Sequence, residues 1–261
     1  MNERVLLYVN SSKEKALKVS EKVRKRLKTD GYNIVEENPE IVIGFGGDGT
    51  LIRLLNDTGH NLNAKYIGIN CGTLGFMQDF LFDEEIKFSD QLKEAEEKNA
   101  KFLSLRLYRG NDVYTFYCLN EFFILNDNEK ALRTEVYVED EYLESFAGTG
   151  LIFSTQIGST ARNLSAGGNI IYPGVECICM TPSEPIINSK MRSLSKSVCL
   201  PSNITINVIP SANHKIKIIS DGINICSSIC DRIEITYSDK HIVRLVRKND
   251  SFTKKISENF I

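Results

Sequence analysis

The sequence predicts two domains, an open α/β domain followed by an all-β sandwich. Three observations carry this. The first third of the chain alternates strand and helix signals in the order βαβαβ. From Ala100 to about Tyr237 it changes to short β-branched and aromatic runs separated by turn residues. The 261 residues, 42% apolar, can bury the core of one large or two modest domains without disulfide staples.

Val5–Val9 reads as a buried strand. Ser11 and Ser12 are placed to cap a helix over Lys13–Thr29, and Gly31 to end it. The basic residues of Lys13–Lys28 then form the wet face of an amphipathic helix. Ile34-Val35 is a weak second strand. Ile41–Phe45, apolar on both faces, reads as a buried parallel strand. A glycine-rich turn follows, then the helix pattern of Leu51–Asn56 and the strand Tyr66–Asn70. An acidic, polar helix pattern over Asp83–Asn99 is the expected connection. The later strand runs are Phe102–Tyr108, Asp112–Phe123, Glu135–Tyr142, Leu151–Thr155, Cys177–Thr181, Ile204–Val208, Lys215–Ile219 and Arg232–Tyr237. We therefore expect an α/β domain at 1–99 and a β-sandwich at 100–244, with the tail 245–261 docking on the first domain.

Charge and cysteine usage exclude several classes. A net charge of −2, from 32 basic and 34 acidic side chains, exerts no pull toward nucleic acid or anionic membrane. The N-terminal apolar run is too short for a signal segment, and no stretch has the ~20 apolar residues of a membrane helix. A cytoplasmic protein is expected. The seven cysteines are odd in number and form no pair of CxxC motifs. Reduced, buried thiols explain them better than a disulfide framework or zinc. His60, His214 and His241 are scattered, which disfavours a histidine metal site.

Four segments carry chemistry. Gly46-Gly47-Asp48-Gly49-Thr50 lies between a strand and a helix. Glycines there let backbone N–H groups approach phosphate oxygens, and the helix N-terminus favours negative charge. A carboxylate among phosphates is awkward unless it binds a metal or takes a proton, so Asp48 is a candidate general base for a sugar hydroxyl. A plain turn with Asp48 as helix cap fits this segment equally well. Neither GxGxxG nor GxxxxGK[ST] is present. Gly68–Phe76 places three more glycines after a strand, as either a ligand loop or a turn. Asn120 and Glu121 are polar residues inside an apolar run, which costs free energy unless backbone groups or a ligand satisfy them. Asn suits a base edge and Glu the two hydroxyls of a ribose. Gly158–Gly168 is rich in small hydroxyl residues and glycines, poor core but good ligand lining.

Together these segments resemble the NAD kinase family, from the first strand to about Asp221-Gly222. GGDGT alone is also found in diacylglycerol and sphingosine lipid kinases, and phosphofructokinases have a relative of it. Its combination with the Asn120-Glu121 strand and Thr149–Gly168 is more specific. Ile187–Leu194 is similar to the branch found in low-GC bacteria.

The resemblance implies a Rossmann-like first domain, a β-sandwich, and phosphorylation of the 2′-hydroxyl of the adenosine ribose of NAD. Asp48 would be the base, with Gly46, Gly47 and Thr50 as the phosphate loop. Gly49, Phe76, Asn120, Glu121, Thr149, Ser159, Thr160, Ala161, Arg162, Asn163, Ser165 and Glu184 would bind substrate. Mg2+ would come with the nucleotide rather than be fixed by the protein. ATP or polyphosphate would be the donor, NAD and ATP the partners, and the protein a homo-oligomer, dimer or tetramer. Four positions depart from the family pattern. Thr149 stands for Asp in Gly-Asp-Gly, and Gln156-Ile157 for the middle of Thr-Pro-Thr-Gly. Arg162 stands for Tyr, and Ile223 for Gln in Asp-Gly-Gln. Retained phosphoryl transfer with altered affinity or substrate is expected. A nucleotide sensor without catalysis and a lipid kinase are the alternatives.

Overall fold

The apolar runs Ile41–Gly46 and Tyr66–Asn70 are buried on both faces, as strands inside a parallel sheet are. In the computed structural model, which describes residues 3–59, 61–72, 75–80, 88–128, 130–189, 191–212, 214–248 and 251–261, the chain divides into two units, 1–100 with 240–261 and 101–239. The first unit opens with β1 (Arg4–Val9), α1 (Glu14–Thr29), β2 (Asn33–Ile34), β3 (Ile41–Gly46), α2 (Asp48–Asp57), β4 (Lys65–Asn70) and α3 (Phe88–Lys93). Its parallel ladder runs β2-β1-β3-β4. Helix α1 buries Ala16, Ser20, Val23 and Leu27, one stripe at helical spacing, and leaves its lysines outward. Gly31, at φ 86°, ends the helix as expected.

The caps differ from expectation. The helix starts one residue later, at Glu14, and no side chain caps it. Asn10 has captured Ser12 instead: its Oδ1 accepts from the Ser12 N–H and hydroxyl at 3.2 and 2.6 Å. The connecting helix expected over Asp83–Asn99 is also corrected. Its residues 83–87 lie outside the described residues, α3 covers only Phe88–Lys93, and Glu96–Asn99 already belong to the next strand.

The second unit is antiparallel. Its strands are β5 (Glu96–Arg109), β6 (Asp112–Cys118), β7 (Glu121–Asn126), β8 (Leu132–Val138) and β9 (Glu141–Ser154). A 3-10 turn (Ile157–Thr160) and the short α4 (Arg162–Ser165) follow. Then come β10 (Cys177–Pro185), β11 (Ile187–Asn188), β12 (Met191–Arg192), β13 (Val198–Pro201), β14 (Ile206–Pro210), β15 (Lys215–Ser220), β16 (Ile223–Ile229) and β17 (Arg232–Val246). Strand β9 organises the unit. Its first half pairs with β8, and its second half lies between β7 and β10. The change of partner falls at Gly148–Gly150, where a Cβ on Gly148 would stand 2.8 Å from the Glu184 carbonyl oxygen. Phe122, Ile124, Phe146, Phe153, Ile178, Met180, Ile206, Ile218 and Ile233 fill the core, as a sandwich requires.

Two long runs are split. Glu135–Tyr142 is a hairpin, because Glu139 and Asp140 both take positive φ (49° and 66°), the geometry of a tight two-residue turn. Asp112–Phe123 breaks at Leu119-Asn120, for a reason given below.

The chain then re-enters the first unit. Val243 and Arg244 of β17 pair in parallel with Lys65 and Tyr66, and α5 (Phe252–Phe260) follows. Phe76 stacks on Phe260, with centroids 5.4 Å apart, and meets Phe252 at 5.8 Å.

Candidate active site

In the first unit, β3 ends at the glycine turn and Asp48 opens α2. The segment 76–80 folds back along β4: the Phe80 N–H donates to the Gly68 carbonyl (3.0 Å), and the Asn70 N–H to that of Phe80 (2.9 Å). The backbone at Gly68 must be bare for this, since a Cβ would lie 2.7 Å from the Met77 carbonyl oxygen. The return sets two N–H groups on one carboxylate. Phe76 N–H donates to Asp48 Oδ2 at 2.8 Å and Met77 N–H to Oδ1 at 2.9 Å. Each oxygen keeps a lone pair with which to accept from a further donor. Asp48 is half-buried, and Gly49 beside it is exposed. Thr50 is buried and holds the turn from inside: its Oγ1 accepts from the Gly47 N–H (3.3 Å), while its own N–H donates to the Gly47 carbonyl (2.8 Å).

Sequence reasoning missed three supports of this arrangement. Gln78 donates from Nε2 to the Gly47 carbonyl at 2.9 Å. The Lys13 ammonium reaches the loop, 3.2 Å from where a Gly72 Cβ would stand and 4.0 Å from a Gly47 Cβ, so a cation flanks the candidate phosphate loop. Buried Asp79 pairs with Arg244 and with Lys255, the latter at 2.7 Å. Burial pushes the Asp79 carboxyl upward, but the two cations outweigh it and hold it below the usual carboxylate range. Lys255 also donates to the Phe76 carbonyl at 3.3 Å, and Arg244 to that of Met77 at 3.2 Å. Phe76 therefore has its ring on the tail helix and its N–H on Asp48.

In the second unit the break between β6 and β7 is made by Asp221. Its carboxylate accepts from the N–H groups of Leu119 (2.8 Å), Asn120 (2.7 Å) and Glu121 (3.1 Å). Asp221-Gly222, both at positive φ, form the β15–β16 turn. That hairpin signal is legible in the sequence, but the reach of its side chain is not. Burial pushes the Asp221 carboxyl up to about 6 against these three bonds. Glu121 is 5% exposed. Its carboxyl is pushed up to about 7 by burial and then by Asp221, while Arg162 opposes both. Arg162 Nε stands 3.8 Å from Glu121 Oε1, and its guanidinium lies 5.2 Å from the Phe123 ring centroid.

Two buried acceptors here, Asn120 Oδ1 and Glu121 Oε2, have no hydrogen-bond partner among the described residues. Orphaned buried oxygens are costly and call for ligand donors. An exocyclic amine and sugar hydroxyls supply such donors.

The loop after β9 lies against this break. Gly158 packs its Cα on the Asn120 backbone, where a Cβ would come within 2.6 Å of the Asn120 Cα. Thr160 and Ala161 are half-buried, and Arg162 and Ser165 are exposed. Ser159 and Asn163 depart from the expectation of substrate contacts. Both are fully buried, and their polar atoms serve the loop. Ser159 Oγ accepts from the Ile171 N–H (3.1 Å). Asn163 donates to the Ser159 and Asn169 carbonyls (3.0 Å each) and accepts from Thr181 (2.6 Å). They shape the loop from inside. Thr149 donates to Glu184 Oε2 at 2.6 Å, and both line a cavity of about 430 Å³ with Asn126, Lys130 and Ile186. Glu184 thus sets a carboxylate beside the position where Thr149 lacks one.

Among the described residues, the group of three or more metal-ligating side chains that converges is made of cysteines, soft donors unsuited to Mg2+. None of the described helices is long and apolar enough to cross a membrane.

Comparison with known proteins adds to this geometry. Residues 119–248 match the family described as the ATP-NAD kinase C-terminal domain. The chain is 34% identical over 266 residues to the NAD kinase of Finegoldia magna, covering 98% of this chain and 97% of that protein. It is 31% identical over 258 residues to the NAD kinase of Lactobacillus gasseri, covering 97% and 96%. Its fold is similar to the crystal structure of yeast NADH kinase complexed with NADH, with a TM-score of 0.81 at 21% identity, over 99% of this chain and 87% of that one.

Proposed function

The chain belongs to the NAD kinase family, and we propose on that premise that it transfers a phosphoryl group from ATP to the 2′-hydroxyl of the adenosine ribose of NAD. The observation that carries this is the strand break at Asn120-Glu121, with two buried acceptor oxygens that the described residues leave unmet. Adenine's amine and the ribose hydroxyls of a dinucleotide are donors of the matching kind.

Asp48 takes the proton of the attacking hydroxyl. The N–H groups of Phe76 and Met77 fix the orientation of its carboxylate. The Gly46–Thr50 turn would receive phosphate at the start of α2, where Gly49 is exposed, and Lys13 adds positive charge there. Asn120 receives adenine and Glu121 a ribose. Arg162, beside Glu121, would contact the dinucleotide together with Thr160, Ala161 and Ser165, and Thr149 with Glu184 would form a second polar wall. Mg2+ would be held mainly by the donor's phosphates and would neutralise their charge during transfer. The family resemblance also supports a cytoplasmic homo-oligomer, and sedimentation velocity checks its size.

Incubation with NAD, ATP and Mg2+ should yield NADP. Asp48→Asn should cut kcat by ~10²–10⁴, the usual worth of a general base, with NAD binding by calorimetry largely kept. NADP at background with millimolar substrates would sink the proposal. Undiminished turnover in Asp48→Asn would remove the base assignment alone.

A further inference from the structure

Three of the seven cysteines converge, which the sequence pattern does not show. Cys177 and Cys179 alternate along β10, so both side chains leave the same face. Cys199 on β13 is the direct cross-strand partner of Cys179. The Cys179 and Cys199 sulfurs are 3.3 Å apart, and all three sulfurs lie within 4.8 Å of one another. Cys177 and Cys179 are buried against Ile171, while Cys199 is exposed.

We propose that Cys177, Cys179 and Cys199 form a binding site for a thiophilic divalent cation such as Zn2+, with a fourth position open on the Cys199 side. Thiolates at ~2.3 Å from zinc in a tetrahedron stand ~3.8 Å from each other, within the spread of the sulfurs here. The donor set is wholly soft, so it rejects Mg2+ and is chemically separate from any ion that arrives with a nucleotide. Packing alone does not explain the arrangement. Thiols used as small apolar groups have no reason to meet at one point, and the exposed Cys199 gains little by burial.

A Cys179–Cys199 disulfide accounts for two of the sulfurs and leaves the third unexplained. Binding is plain substitution: each thiol that ligates releases its proton to solvent, and no electron moves.

The test uses full-length protein purified under reductant, stripped with chelator and kept free of nucleotide. Titration with Co2+ should give thiolate charge-transfer bands and intense visible bands at one ion per chain, reversed by Zn2+. Cys199→Ser, at an exposed position, should keep the far-ultraviolet dichroism of the parent. It should weaken Co2+ binding by at least the ~100-fold that disturbing even an outer partner can cost. Cys226→Ser, on β16, should bind as the parent does. Absent charge-transfer bands, or equal affinities in the two variants, would overturn the site. So would peptide mapping that finds a Cys179–Cys199 disulfide in protein purified without reductant and carrying no metal.

Discussion

Gly158→Ala tests the packing of the loop on the strand break. A Cβ there would come within 2.6 Å of the Asn120 Cα and closer still to its carbonyl. Ordinary carbon contacts are ~3.5–4.0 Å, so the two backbones must part by about 1 Å. Neither can yield cheaply. The Asn120 carbonyl accepts from the Thr155 N–H (2.9 Å), and Thr155 Oγ1 donates to the Leu119 carbonyl (2.6 Å). Overpacking costs ~1–3 kcal/mol, and straining two hydrogen bonds adds ~0.5–1.5 kcal/mol each. A total of about 4 kcal/mol lowers Tm by ~8–16 °C for a chain of this size. The same shift moves Asn120 and Glu121, so calorimetric NAD affinity should fall with stability. Gly49→Ala is the control. That glycine lies in α2 with nothing within 4 Å of an added Cβ, so Tm should hold or rise. Scanning calorimetry of both variants decides. A Gly158→Ala protein with parental Tm and NAD affinity would refute the close approach of loop and strand.

Three further outcomes follow from the electrostatics. Removing the guanidinium with Arg162→Ala takes away what lowers Glu121, so its carboxyl should titrate above about 7. The KM for NAD should then rise and its pH dependence move to higher pH, and an unmoved KM–pH profile would separate Arg162 from Glu121. Lys255→Met should cost ~2–4 kcal/mol, since it leaves buried Asp79 with Arg244 as its remaining salt-bridge partner. Asp79 is held below its unfolded value, so this stabilisation is present above pH ~4 and lost as pH falls through the folded value. Urea melts of parent and variant should therefore converge in acid, and a difference that is constant with pH would contradict the pairing. Stripping divalent cations with chelator should abolish NADP formation while leaving NAD binding intact, as followed by calorimetry.

The sequence by itself determined the architecture and the kind of chemistry. Strand and helix periodicity are local properties, and so is a glycine turn between them. The parallel β1, β3 and β4, the antiparallel second unit and Gly31 as a helix stop were all legible. The GGDGT turn, the polar Asn120-Glu121 pair and the Gly158–Gly168 loop stood out as candidate ligand segments for the same reason. Only the tertiary structure decided which atoms meet. Asp221 splits one long run into β6 and β7 from about a hundred residues away. Lys255 and Arg244 fix the segment that clamps Asp48 from still farther along the chain. Asn163 proved to face inward, and Cys199 to face Cys179. Composition and spacing carry no record of such contacts. They depend on which strands become neighbours, and that is settled by burial summed over a whole core rather than by any one segment.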